Sequence, residues 1–259
     1  MPVINLHSRI IGDEYSEDLV ILHGLLGSAD NWQTLAKRYA IDFRVHLLDA
    51  RNHGRSPHSE EHTYEAMSED LLEYLDTHSI EKANLLGHSM GGKTVMMFTE
   101  KHPDRVSKLI VADIAHREYT PHHVLIFKAL QSTNPASASS REEVLNVLES
   151  LLGEDKVLIS FLMKSLRREK AGGYSWRFNV ETLSKTLSGI TKRINLSLNT
   201  IPALFIYGGM SSYVCPEDLV ELEELYVQLD SICLENSGHW LHAQEPEKFF
   251  ESTFEFLEG

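Results

Sequence analysis

Ten residues, Leu85-Leu86-Gly87-His88-Ser89-Met90-Gly91-Gly92-Lys93-Thr94, limit what this chain can fold into more than any other stretch. An apolar run leads into them and a helix-forming segment follows, so they belong at a sharp strand-to-helix turn. Two chemistries use such a turn. Gly87 to Gly91 reads G-x-S-x-G, in which the turn lifts a serine hydroxyl above a parallel sheet. Gly87 to Thr94 also reads G-x-x-x-x-G-K-T, a loop whose backbone N–H groups cradle phosphates. The second reading has a candidate partner in Leu109-Ile110-Val111-Ala112-Asp113, an apolar strand ending in an aspartate suited to magnesium.

The rest of the chain separates the two. A serine nucleophile needs a base, an acid behind that base, and N–H donors aimed at the developing oxyanion. A phosphate loop needs none of these. Leu19-Val20-Ile21-Leu22 is an apolar strand followed by His23-Gly24-Leu25-Leu26-Gly27, a turn that can aim a backbone N–H into a site. The Leu25 N–H, paired with that of Met90, is the expected oxyanion hole. Near the C-terminus, Asn236-Ser237-Gly238-His239-Trp240 lies in a loop before the last helix, which makes His239 the expected base. His242 is a weaker candidate. His88 braces the turn, and His122-His123 reads as a solvated pair. Asp113 closes the strand after the turn's helix, and functional groups gather at the carboxyl ends of strands in doubly wound sheets. It is the expected acid, with an N-cap or a partner for an arginine as its alternative roles. Asp218 ranks below it because it sits among helix formers. The nucleotide reading leaves Gly24 and His239 without a purpose.

These motifs together resemble the α/β-hydrolase superfamily, over about residues 17–115 and 200–257. Asp49-Ala50-Arg51-Asn52-His53-Gly54-Arg55-Ser56 is similar to its D-x-R-G-x-G-x-S loop and departs from it at Asn52-His53. That loop reads as structural, with Asp49 and Arg51 bridging a turn and Gly54 supplying backbone freedom. The superfamily's usual acid follows the strand Ala203–Tyr207 in a Gly-Gly-x-Ser-Asp-Tyr pattern. Here Gly208-Gly209-Met210-Ser211-Ser212-Tyr213 places a serine at that site. A serine cannot stabilise an imidazolium, and Asp113 takes the role. With this departure the chain looks like the YbfF-type carboxylesterases. The resemblance implies a small bacterial esterase with a helical cap, acting on acyl esters and acyl-CoA thioesters. It also implies a fourth catalytic member, Ser211 or Ser212.

The expected fold class is therefore α/β, an α/β-hydrolase fold. It has a mostly parallel doubly wound sheet and a helical cap inserted after the strand that ends at Asp113. Apolar strands are expected around 19–22, 44–48, 83–87, 108–112, 202–207 and 231–234. Helices are expected at 64–78, 94–101, 217–228 and 246–257, an alternation that argues for a parallel sheet covered on both faces. Residues 1–115 and 200–259 form the expected core. Residues 116–199 form the expected cap, with helical periodicity and no recognisable strand. Ser132–Ser140 connects cap helices. Phe127, Leu130, Phe161, Leu162 and Trp176 are candidates for lining an acyl site, with packing of the cap on the core as their other role.

Charge is uneven. Residues 116–199 carry 12 Lys/Arg against 8 Asp/Glu, a net of +4, although the whole chain is −14. Lys164, Arg167, Arg168, Lys170 and Arg177 form the densest basic group, which is either a solvated face or an attractor for an anionic acyl-CoA. Nucleic acid is not an expected partner. No apolar run approaches the ~20 residues of a membrane span, and Cys215 and Cys233 are two separated thiols. A cytoplasmic protein without metal or cofactor is expected. The expected function is serine carboxylesterase. Carbon–carbon bond hydrolase or amidase on the same residues is the alternative within the fold, and a non-catalytic ligand-binding protein is the alternative outside enzymes.

Overall fold

Alternation with a period of two, buried on both sides, is the common property of the apolar runs. In β2 (Glu17–Leu22), Leu19 and Ile21 join one core cluster while Val20 and Leu22 join another. In β5 (Val106–Ala112), Ile110 and Ala112 go one way and Leu109 and Val111 the other. Strands buried on both faces need helices on both faces. The computed structural model, which describes residues 2–14, 16–121, 123–153 and 155–259, supplies them.

Seven strands form one sheet. They are β1 (Ser8–Ile11), β2, β3 (Phe43–Leu48), β4 (Ala83–His88), β5, β8 (Ala203–Gly208) and β9 (Leu229–Leu234), in the order β1-β3-β2-β4-β5-β8-β9. Only the β1–β3 pairing is antiparallel. On one side lie α2 (Tyr64–Thr77), α3 (Met90–Lys101) and α9 (Pro216–Leu225). The other side holds α1 (Gln33–Tyr39) and α11 (Pro246–Glu258), preceded by the short α10 (Leu241–Gln244). The sheet thus has the α/β-hydrolase architecture. Sequence reasoning did not find β1 or α1. The edge strand Ser-Arg-Ile-Ile is too short and too polar to leave a pattern, and α1 has only seven residues.

Between β5 and β8 the chain builds α4 (Val124–Ser132), α5 (Arg141–Leu152), α6 (Lys156–Lys164), α7 (Val180–Lys185) and α8 (Leu187–Ile190). The Ser132–Ser140 stretch runs from α4 into α5. An expectation of helices alone needs correction here. β6 (Leu166–Arg168) and β7 (Tyr174–Trp176) pair antiparallel, with Leu166 opposite Trp176. Three-residue strands are too short to show alternation in sequence. These elements share a core of their own, to which the body contributes Leu26 from the turn after β2.

Lys93 ties the two ends of this segment to the body. It sits in the first turns of α3, is 1% exposed, and donates from Nζ to Arg117 O (2.7 Å) and Lys192 O (2.5 Å). The Tyr119 ring lies 4.8 Å away. The lysine that a phosphate loop would turn toward its ligand is thus engaged by protein carbonyls. Burial lowers its pKa from 10.5 to about 7. The unfolded chain therefore binds this proton across a window in which the folded chain has released it, and stability rises with pH there. The advantage of wild type over Lys93→Met in urea unfolding is expected to grow as pH rises from about 7 toward the free-lysine value. A difference that stays flat across that window would contradict the assignment.

Candidate active site

The junction of β4 and α3 is strained by construction. Ser89 lies between them with φ 53° and ψ −117°, a region costly to any residue with a side chain. It persists because the helix start passes unusually close to the sheet. A Cβ on Gly87 would lie 2.3 Å from Gly91 O, and one on Gly91 would lie 2.4 Å from Leu22 O. The two glycines of G-x-S-x-G are the absence of atoms that this crossing requires. Ser89 N–H is held by Ala112 O at 3.0 Å, which fixes the turn against β5.

Three side chains from distant parts of the chain then converge. His239 Nε2 is 3.0 Å from Ser89 Oγ, and His239 Nδ1 is 2.7 Å from Asp113 Oδ2. A carboxylate can only accept, so Nδ1 carries the proton and the Nε2 lone pair faces the serine. Asp113 is 1% exposed and itself sits at φ 48°. Its charge is held by three donors: His239, Gly208 N–H at 3.0 Å, and Ser211 Oγ–H at 2.5 Å. Ser211 in turn accepts from Tyr213 N–H, and the Tyr213 ring stacks on His239 with centroids 4.0 Å apart. Neither alternative role for Asp113 is present. Asp218 is elsewhere, bonded to Arg117 and Cys215.

Ser212 needs correcting as a candidate. It is exposed, and its carbonyl accepts from Arg117. Of the two serines only Ser211 reaches the group, and it touches the carboxylate rather than the imidazole. His88 donates from Nε2 to His239 O at 2.7 Å, and His242 stacks on Trp32. Burial pushes the His88 pKa well below 6.5 and that of His242 to about 3, so neither opposes a positive charge on His239. His122 lies outside the described residues. Its neighbour His123 is half-buried at the edge of the site rather than solvated.

Leu25 and Met90 flank Ser89. Among the described residues no acceptor takes up either backbone N–H, and the Met90 N–H is in the first turn of α3, where the helix dipole favours negative charge. A cavity of about 240 Å³ opens beside Ser89 and His239, with Leu25, Ile126, Leu158, Phe161 and Trp240 in its wall. A second of about 30 Å³ lies on the Met90 side, between Tyr64, Ile114 and Tyr119. Of the five acyl-site candidates Phe161 alone lines the larger space. Phe127, Leu130, Leu162 and Trp176 are buried in the core between α4, α6 and β7 instead. Ile126 and Leu158 went unread because they share helices with those residues, and only packing decides which face looks inward. The loop 49–56 also differs from expectation. Asp49 accepts from Ala29 N and Arg55 N, while Arg51 turns away from it to a buried two-point pair with Asp70 on α2. Among the described residues no group of three or more His, Cys, Asp or Glu side chains is arranged to hold a metal ion.

The contrast between the two serines is testable. Hydrogen bonds to charged groups contribute about 1.5–3 kcal/mol, so Ser211→Ala is expected to lower kcat on an activated ester by roughly tenfold or more. Ser212→Ala should leave it within about twofold, as for a surface change. Equal losses in steady-state assays would return Ser212 to the site.

Comparison with known proteins places this geometry. The model of the alpha/beta hydrolase fold family matches residues 19–246. Esterase YbfF of Escherichia coli (strain K12) is 34% identical over 256 residues, covering 98% of each chain. The sn-1-specific diacylglycerol lipase ABHD11 of Mus musculus is 37% identical over 259 residues, covering 97% of this chain and 84% of the lipase. A solved marine microorganism esterase superposes with a TM-score of 0.94 at 40% identity, covering 98% of this chain and 99% of its own. With the elbow, the sheet order and this near end-to-end similarity in hand, the chain belongs to the α/β-hydrolase family, close to the YbfF-type esterases.

Proposed function

We propose that this protein hydrolyses small carboxylic esters through an acyl-enzyme on Ser89. The observation that carries the reading is the unbroken chain Ser89 Oγ to His239 Nε2 at 3.0 Å and His239 Nδ1 to Asp113 at 2.7 Å. Its similarity to proteins named esterase and lipase supports ester hydrolysis over other chemistry on the same fold. Ser89 Oγ attacks the acyl carbonyl while its proton passes to His239 Nε2. Asp113 holds the imidazole and stabilises its positive charge. The Leu25 and Met90 N–H groups bind the oxyanion, where fixed dipoles in a site shielded from water do most of the work. Collapse breaks the C–O bond, and His239 gives the proton to the leaving alkoxide. His239 then takes a proton from water, hydroxide adds to the acyl carbon, and Ser89 leaves with a proton returned to it.

Residues 116–199 act in this reading as a cap over the core formed by 1–115 and 200–259, because Ile126, Leu158 and Phe161 close the larger cavity. At about 240 Å³ that cavity is below the roughly 300–1,000 Å³ of sites for drug-sized ligands. Its walls are mainly apolar, so short acyl esters fit it best. A thioester of coenzyme A is the second reading, and it rests on the basic group of the cap. Arg167 is paired with Glu169 and Arg177 with Asp30, and none of the five basic residues lines the cavity. An oxygen ester is therefore the primary substrate class. Among the described residues no helix is long and apolar enough to cross a membrane.

Ser89→Ala is expected to abolish turnover and covalent labelling by a fluorophosphonate, and Asp113→Asn to lose about 10²–10⁴ in kcat. A loss below tenfold for Asp113→Asn would reassign the acid. Across p-nitrophenyl esters run beside matched acyl-CoAs, kcat/KM should peak at short chains and favour the oxygen ester. A peak at long-chain acyl-CoA would reverse the substrate assignment, and nucleotide binding without serine labelling would remove the hydrolase reading.

A further inference from the structure

The loop that carries Leu25 is pinned peptide by peptide. Leu25 N–H and Gly24 C=O belong to one rigid plane and point in opposite directions. Gly24 O accepts from Gly27 N–H at 3.0 Å and from His23 Nδ1 at 2.8 Å, which aims the Leu25 N–H away from both. The next plane, Leu25 C=O with Leu26 N–H, is fixed by a different residue. Leu26 N–H donates to His53 Nε2 at 3.1 Å. Leu26 sits at φ 63°, a left-handed conformation that a leucine does not keep unaided. His53 is itself held, donating from Nδ1 to Arg51 O at 2.9 Å.

Within the Asn52-His53 departure, Asn52 stands where the D-x-R-G-x-G-x-S pattern has glycine and His53 fills the free position after it, and Asn52 continues the connection outward. Asn52 O accepts from Asn179 N–H at 2.9 Å, and Asn52 Oδ1 accepts from Asn179 Nδ2 at 3.2 Å. Asn179 is the N-cap of α7, its own side chain accepting from Thr182 N–H. Leu26 meanwhile packs its side chain into the core of that same segment. The residue after the oxyanion donor is therefore gripped by its side chain from the cap and by its N–H from His53. Both grips lead to residues 116–199.

We propose that His53 is a positioning residue for the Leu25 oxyanion donor, and that Asn52–Asn179 links its setting to the seating of the cap. The proposal rests on the reading of Leu25 as part of an oxyanion hole. The bond requires a neutral imidazole, since Nε2 must accept. His53 is wholly buried, and burial, together with the nearby His23 and His62 rings, holds its pKa well below 6.5. With the cap seated, Leu26 is locked and the Leu25 N–H is aimed. With the cap lifted, the Asn179 bonds and the packing of Leu26 are lost together, leaving the left-handed turn to His53 alone.

Two substitutions separate this role from simple packing. The side-chain oxygen of Gln reaches the position of Nε2 and can still accept from Leu26 N–H. Asn reaches only the position of Nδ1 and cannot. The readouts are kcat and KM on p-nitrophenyl acetate, affinity for a methyl trifluoromethyl ketone whose hemiketal oxyanion occupies the same hole, and the thermal midpoint. Losing an oxyanion donor outright costs about 10²–10³ in kcat, so a misaimed one in His53→Asn should cost about tenfold or more, with ketone affinity falling in parallel and KM nearly unchanged. His53→Gln should recover most of both losses, and Asn179→Ala should show the same pattern to a smaller degree. His53→Asn with wild-type kcat and ketone affinity overturns the proposal. Equal losses in the Asn and Gln variants overturn it too, because they indicate packing alone. A wild-type protein that neither turns over the ester nor binds the ketone sinks the esterase reading, and this proposal with it.

Discussion

A buried carboxylate beside a histidine is the interaction on which the site depends. Left alone in an apolar interior, the Asp113 charge would be costly. Three donors from three places remove that cost: the imidazole of His239, the backbone of Gly208 and the hydroxyl of Ser211. Each arrives only if β5 and β8 are in register and the loops after β8 and β9 are folded. The carboxylate thus reports on the assembly of half the sheet. The same bond sets the imidazole tautomer, and through it the proposed activation of Ser89.

Backbone strain is concentrated around this centre. Ser89, Asp113, Leu26 and Asn52 all adopt positive φ, and each is immobilised by hydrogen bonds or packing from another element. Strain of this kind survives when its surroundings over-determine it. The two glycines of the elbow permit the approach of α3 to β2, and Lys93 on the same helix holds both ends of the segment between β5 and β8. Helix α3 therefore serves three ends at once. It presents the serine, offers its first N–H groups to negative charge, and anchors the necks of the proposed cap.

Much of this was legible in the chain. Short continuous apolar runs such as 19–22 and 109–112 announce strands because a doubly covered sheet leaves no polar face. G-x-S-x-G is legible because only glycine tolerates a carbonyl at 2.3–2.4 Å from where its Cβ would be. The two short strands β6 and β7, the edge strand β1 and helix α1 were not legible, since a few residues carry too little periodicity. The split of Phe127, Leu130, Leu162 and Trp176 from Phe161 was not legible either. An amphipathic helix shows which face is apolar and not whether that face meets a cavity or another helix.

What the amino-acid order determined by itself was therefore the local geometry: the elbow, the glycine turns, the longer core strands and the residues that are candidates for acid–base work. Choices between chemically equal candidates were left to the tertiary structure. It set Ser211 rather than Ser212 on Asp113, paired Arg51 with Asp70 instead of Asp49, and turned the lysine of the G-x-x-x-x-G-K-T motif onto the carbonyls of Arg117 and Lys192. It also joined His53 to the turn after β2, 27 positions away. The physical reason is that a motif fixes dihedral angles over a few residues, whereas hydrogen-bond partners across the sheet depend on register and packing that no short stretch encodes.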